Sequence, residues 1–321
     1  MRRVYDDLAE SLSKGESSVL ASIIEEKGSS PRGVGAKMLV HPDLSISETI
    51  GGGWLEAETI HACRDVFASH LSRICHFDLT AKDAAGSDMI CGGYGRVLLQ
   101  YIDPENIQIK KILEQMKAAY DDGQKGTLLT RWEENSAGAL DVSVSFHVPS
   151  LSGMSPSNSL SELISPRKIV YIFGAGHVAL ALSKIADFVD FHCIVLDNRP
   201  EFASAERFPR AEIRQIKSYA ALPDLSVDAE SFVVIVTSGH LGDYDVLEQM
   251  LRTDAGYIGM IGSHHKRDAI YQKLRAAGFG EDQIARVHSP IGLPIKAETP
   301  EEIAVSILAE MIAVRAGMKK E

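Results

Sequence analysis

Gly174-Ala175-Gly176 follow an apolar run, Ile169 to Phe173, without a spacer, and a second run, Phe191 to Leu196, ends at Asp197, 23 residues after Gly174. That spacing suits nucleotide binding. Gly174 lets the chain turn where a Cβ would clash, and Gly176 lets backbone approach a pyrophosphate at the start of a helix. A carboxylate at the end of the second run can accept from ribose hydroxyls. Ala179 stands at the third small position, which serves helix-to-strand packing. Arg199 weakens the preference for an unphosphorylated ribose that Asp197 would set. His177 adjoins the turn, so Gly174, Gly176, His177, Asp197 and Arg199 form one group of candidate cofactor-binding residues.

Other chemistry-bearing residues lie in glycine-rich or loop-like stretches. Arg32 and Lys37 stand among Ser29, Ser30, Gly28, Gly33 and Gly35, the composition of a phosphate-binding loop, or more plainly of a solvated hairpin loop. Gly51, Gly52 and Gly53 open a helical pattern and make a second possible anion site. Cys91 precedes Gly92-Gly93 in a flexible stretch, where flanking amides can lower a thiol pKa and make it a soft metal or sulfur ligand. His240 and Asp243 follow the apolar strand Phe232 to Thr237, at the strand ends where open α/β sheets bind ligands; a surface His and a capping Asp are the alternative. Ser263-His264-His265-Lys266-Arg267 place cations in a helix's first turn, against its macrodipole, a conflict that an anionic ligand or plain solvation would resolve.

The elements that must hold these residues follow from periodicity. Helices are expected over Val4 to Lys14, after Gly53, from Pro104 to about Tyr120, after Gly176, to about Ala277, and from Thr299 to Gly317, where Thr299, Pro300 and Glu302 form a capping box. Strands are expected at Ser18 to Ile24, Ile74 to Leu79, Val97 to Ile102, Gly126 to Trp132, Val142 to Val148, Ile169 to Phe173, Phe191 to Leu196, Glu212 to Ile216, Phe232 to Thr237, Gly256 to Ile261 and Ile284 to His288. The fold class is α/β: a C-terminal Rossmann-like doubly wound parallel sheet and a smaller N-terminal α/β (α+β) domain. The expected domains are 1–148 and 167–321. Residues 149–166, with seven serines and three prolines, read as a linker. The two halves are expected to face one another across a ligand cleft.

At 321 residues with 45% hydrophobic content, the chain can bury two ordinary cores. A net charge of -11, from 33 Lys plus Arg against 44 Asp plus Glu, argues against nucleic acid or an anionic membrane as partner. No stretch is apolar and long enough to span a bilayer, and MRRVYDDLAESLSK lacks a secretory h-region, so a cytoplasmic location is expected. Cys63, Cys75, Cys91 and Cys193 show neither disulfide nor zinc spacing.

Taken together, SSPRGVGAKMLV, the GGG before a helix, CGG at 91 to 93, FGAGHVALAL, TSGH with Asp243, YIGMIGS and VHSPIGLPI leading into AETPEEIAVSILAEMIAVR resemble the XdhC/CoxI maturation factors of xanthine and carbon monoxide dehydrogenases. The resemblance spans nearly the whole chain in order. It implies binding of molybdenum cofactor (molybdopterin), support of its sulfuration, and delivery to an apo molybdenum hydroxylase, with a cysteine desulfurase as a further partner and a homodimeric state. It also implies that Arg32 and Lys37 contact cofactor phosphate and that Cys91 sits near molybdenum or its sulfido ligand. His240, Asp243 and His288 would line the cleft, and Ser263 would join the cofactor-binding set. Three positions depart from the family pattern: His264-His265 stand for Arg-Arg, Arg96 for an acidic residue, and Pro294-Ile295-Lys296 for Asp-Ile-Gly. The main expectation is a non-catalytic cofactor chaperone. The alternative is an NAD(P)-dependent oxidoreductase with His240 as acid or base.

Overall fold

The structure, a computed structural model, describes residues 3–28, 32–78, 93–135, 139–150 and 157–318. The chain divides into two compact units, Met1–Pro166 and Arg167–Glu321.

The first unit holds α1 (Arg3–Ser13), β1 (Ser18–Gly28), β2 (Lys37–Val40), β3 (Ile46–Glu48), α2 (Gly53–Ser69), β4 (Arg73–Asp78), β5 (Gly93–Ile102), α3 (Ile107–Asp121), β6 (Gly126–Glu134), β7 (Leu140–His147) and β8 (Ser159–Ile164). Five strands form an antiparallel sheet in the order β3-β2-β1-β5-β4, and three form a second in the order β7-β6-β8. Helix α2 turns Leu55, Thr59, Cys63 and Val66 inward at the expected period, onto Val19, Ala21, Ile23 and Val97. Helices α1 and α3 cover the other core through Leu8, Leu12, Ile112 and Met116. Each such apolar side chain contributes about 1.5–3 kcal/mol on burial.

Three local expectations need correction here. Lys37 lies on strand β2, where all four residues are buried, because Met38 and Val40 face the core. Residues 159–164, expected in the linker, form β8, whose burial alternates as an edge strand requires. Pro104 stands before α3, and Asn106 is its N-cap, accepting from the Ile109 amide.

The second unit holds β9 (Lys168–Phe173), α4 (His177–Phe188), β10 (Phe191–Asp197), β11 (Glu212–Gln215), β12 (Phe232–Ile235), α5 (His240–Met250), β13 (Tyr257–Met260), α6 (His264–Ala276), α7 (Glu281–Ala285), β14 (Val287–His288) and α8 (Pro300–Arg315). Its six strands are parallel in the order β11-β10-β9-β12-β13-β14, the Rossmann arrangement with its switch point between β9 and β12. Helices α4 and α8 cover one face through Ala179, Leu182, Ile307 and Met311. Helices α5 and α6 cover the other through Val246, Leu247, Ile270 and Leu274. Strands β9, β12 and β13 are almost entirely buried, as a sheet covered on both faces demands. The strand expected from Ile284 instead begins as the one-turn helix α7, capped by Gly280 and Gln283, and only Val287 and His288 pair with β13.

Candidate functional site

At the glycine turn, Gly174 has φ +109°, and a Cβ there would lie 2.4 Å from the Val236 carbonyl oxygen. Only glycine fits. Gly176 differs: it has φ −73°, a Cβ would meet nothing within 4 Å, and α4 begins without a side-chain cap. The fold therefore does not require glycine there. Open space over uncapped helix amides suits the approach of an anion. His177 is exposed beside it.

Asp197 is 0% exposed. Its Oδ2 accepts from the Ala175 amide at 2.7 Å and from Arg199 Nη2 at 2.7 Å, and its Oδ1 accepts from Arg199 N at 2.9 Å and Nε at 3.0 Å. Burial pushes the carboxyl up, but the Arg199 and Ala175 hydrogen bonds outweigh it and hold Asp197 below its ordinary range. The expected ribose acid is thus turned inward onto its own turn. Arg199 lies over Phe202 with its Cζ 4.2 Å from the ring centroid, and Arg207 lies 5.0 Å from the same ring. Arg207 Nη1 donates to the Ala175 carbonyl at 2.9 Å and to the Phe202 carbonyl at 2.7 Å.

Beyond β12, Asp243 is also 0% exposed. It accepts from the Thr237 amide at 3.1 Å, from Thr237 Oγ1 at 2.7 Å and from Lys266 Nζ. Lys266 in the first turn of α6 is therefore balanced by a carboxylate of the chain itself, and the conflict with the macrodipole needs no ligand. Ser263 is the exposed N-cap of α6 and accepts from the Lys266 amide. His240 opens α5, but its side chain lies outside the described part of the structure. His288 Nδ1 donates to Glu310 Oε1 at 3.0 Å, while Glu310 Oε2 accepts from Tyr257 Oη at 2.6 Å and from the Gly292 amide at 2.9 Å. Burial raises the Glu310 carboxyl, yet those three donors leave it below its ordinary value. Burial drives the Tyr257 phenol well above its ordinary value.

In the first unit, Lys37 donates to Ser22 Oγ at 2.7 Å and pairs with Glu162 at 3.0 Å, both side chains being 3% exposed. Tyr5 Oη donates to the same carboxylate at 2.8 Å. Lys37 is a core cation here, corrected from a loop cation available to phosphate. Arg32 is exposed. The Gly51 amide donates to Thr49 Oγ1 and the Gly52 amide to Glu56 Oε2. Glu56 on α2 thus occupies the anion position that Gly51, Gly52 and Gly53 were expected to offer. Arg96 pairs with Glu25 at 3.0 Å. Cys91 lies outside the described residues. Cys63, Cys75 and Cys193 are buried. Burial pushes the Cys63 and Cys193 thiols up to about 12, consistent with inert packing.

The structure therefore gathers Gly174, Gly176, His177, Asp197 and Arg199 at one edge of the sheet. It places Asp243, a buried internal support, and Ser263, an exposed helix cap, at neighbouring strand ends. Sequence patterns did not single out Arg207, Phe202, Tyr219, Glu310 or Glu162. Glu310 alone carried a signal, as a carboxylate on the apolar stripe between Ile307 and Met311. A cavity of about 400 Å³ between α1 and α3 and one of about 270 Å³ beside α6 and α7 do not border the turn. Among the described residues, no group of three or more His, Cys, Asp and Glu could hold a metal, and no helix is long and apolar enough to cross a membrane.

Residues 11–78 match the profile of the XdhC and CoxI family, and residues 170–311 match that of the XdhC Rossmann domain. Over 300 residues the chain is 29% identical to the uncharacterized protein YqeB of Escherichia coli, covering 92% of this chain but 43% of that longer protein. It is 25% identical to a probable xanthine dehydrogenase subunit of Bacillus subtilis, covering 94% of both chains. It is 22% identical to the molybdenum cofactor insertion chaperone PaoD of E. coli, covering 98% of this chain and 88% of that one. A crystal structure of a xanthine dehydrogenase from Bacillus halodurans superposes with a TM-score of 0.81 at 26% identity, over 98% of this chain and 97% of that one. With both halves matched in order and the fold shared end to end, the chain belongs to the XdhC and CoxI family.

Proposed function

We propose that this protein is a maturation factor that binds molybdenum cofactor, supports its sulfuration and inserts it into an apo molybdenum hydroxylase such as xanthine dehydrogenase. The relatives named as an insertion chaperone and as a xanthine dehydrogenase component support that class of function. The observation that carries it is the character of the glycine-turn edge. It offers uncapped amides, open space at Gly176 and two guanidiniums, which fit the anionic part of a pterin cofactor. The carboxylates beside it, Asp197 and Asp243, are fully buried and engaged, which favours holding a ligand over carboxylate acid–base chemistry on it.

When bound, the cofactor supplies the metal-centred redox chemistry that a hydroxylase needs. This chain's part is to grip the anionic end through the first turn of α4. Arg32 and Cys91 in the first unit are proposed as the phosphate and sulfur or molybdenum contacts, and His240 and His288 as flanking groups. A cysteine desulfurase, a homodimeric state and a cytoplasmic location belong to the same proposal. The alternative, a nicotinamide dehydrogenase, gains no support from Asp197, whose acceptors are already taken.

Purification from cells that make the cofactor tests the reading. The expected result is pterin and molybdenum copurifying in near-equal amounts with the protein. A preparation free of both, from cells whose hydroxylases are fully loaded, contradicts it.

A further inference from the structure

We propose that the end of β10 recognises a phosphate monoester in place of a ribose diol, with the Arg199 guanidinium facing the ligand and Asp197 positioning it. The inference rests on the second unit being the anion-gripping half of a cofactor carrier, and it names the group gripped. A carboxylate has about four acceptor sites, and Asp197 meets four donors: Ala175 N and Arg199 N, Nε and Nη2. A ribose hydroxyl therefore finds no free acceptor there. Arg199 has spent two of its five side-chain N–H groups on Asp197, leaving about three. Its side chain is 29% exposed while that of Asp197 is 0% exposed, so the cation and not the acid is what the site presents. The face of Phe202 holds the guanidinium from one side, and Arg207 fastens the same loop to the Ala175 carbonyl. Glu201, the other carboxylate that Arg199 senses, is exposed. A rigid planar fork held this way matches a phosphate.

Tyr219 is a second, independent observation. Its residue is 7% exposed, and its buried hydroxyl makes no hydrogen bond of ordinary length but lies close enough to Asp197 to interact with that carboxylate. The ring packs beside Gly242 of α5, and the hydroxyl feels the charges of Asp197, Arg199 and Asp243, so it points between the ends of β10 and β12. A buried hydroxyl held short of a full hydrogen bond is costly, and here it has a use. When a phosphate draws an Arg199 N–H away, Tyr219 supplies the replacement donor to Asp197.

The test uses the full chain with 2′,5′-ADP and 5′-AMP as probes, which differ in one phosphate monoester on the ribose. Titration calorimetry is expected to show 2′,5′-ADP binding roughly ten- to hundredfold tighter, the range for hydrogen bonds to a charged group. Arg199→Gln, which keeps an amide able to donate to Asp197, is expected to bring the ratio to about twofold or less while the protein still melts cooperatively. The second arm measures pterin copurifying with wild type and with Arg199→Gln, because the pterin also carries a phosphate monoester. Lost probe discrimination with unchanged pterin assigns the site to a nucleotide. Lost pterin without probe discrimination assigns it to the pterin's own phosphate. Tyr219→Phe is expected to weaken the preferred ligand several-fold with little change in the melting temperature, since in the free protein the hydroxyl makes no hydrogen bond of ordinary length. If Arg199→Gln moves neither the probe ratio nor pterin retention, the inference is overturned. If wild type discriminates the probes but never carries pterin, the carrier reading fails and this one stands.

Discussion

Lys37 and Glu162 are each 3% exposed and meet at 3.0 Å, with Tyr5 and Ser22 as further partners. Removing one member of a buried pair strands the other charge, which costs about 3–5 kcal/mol, whereas replacing both by apolar residues is often neutral. Lys37→Met is therefore expected to lower the urea midpoint of the first unit steeply, and Lys37→Met with Glu162→Leu to recover most of the loss. Trp54 and Trp132 both lie in that unit, so tryptophan fluorescence reads it selectively. Glu310 gives a pH prediction for the second unit. Its carboxyl is depressed in the folded state, so its contribution is complete above the unfolded value of about 4.3 and is lost as pH falls through the folded value. Far-UV circular dichroism in urea is expected to show stability falling as pH drops below about 4.5, and Glu310→Gln is expected to flatten that fall. An unchanged slope would remove Glu310 from the set of acid-sensitive groups. The sequence marked Lys37 by its neighbours in a glycine-rich stretch, but its partner sits 125 residues away in a segment that composition assigned to a linker.

At the scale of elements, the β9-turn-α4-β10 unit was legible because three signals coincide in 30 residues: two short apolar runs, a 3.6-residue period between them, and two glycines at the turn. The two glycines now separate by role. Gly174→Ala forces a Cβ against backbone at a left-handed position and is expected to cost about 3 kcal/mol or more of the second unit's stability. Gly176→Ala meets no atom and keeps an ordinary φ, so about 1 kcal/mol or less is expected, with anion binding at the turn weakened instead. Urea titration followed by circular dichroism measures the first quantity and ligand titration the second. Equal stability losses would contradict the distinction. Shorter elements were harder to read. Strands β2 and β3 have four and three residues, too few to show alternation. Helix α7 has five residues, shorter than two helical turns, so its apolar Ile284 was indistinguishable from the start of a strand. Strand β8 was hidden by its serines, although Leu160, Glu162 and Ile164 alternate inward.

For the whole molecule, the class of fold and the family were readable from motif order, and the Rossmann strand order agrees. What could not be read was which polar groups the protein would spend on itself. Asp197, Asp243 and Lys37 were natural ligand candidates by type and spacing, and each is engaged by the chain itself: Asp197 by Ala175 and Arg199, Asp243 by Lys266, and Lys37 by Glu162. A carrier with its carboxylates sequestered should hold and release without turnover. The most direct measurement is transfer: protein loaded with cofactor, mixed with an apo molybdenum hydroxylase, assayed for hydroxylase activity and for nicotinamide oxidation. The account predicts activation that saturates near one hydroxylase centre per loaded carrier, with no nicotinamide consumed by the carrier alone. Catalytic nicotinamide turnover by this chain, with the apo-enzyme left inactive, would contradict it.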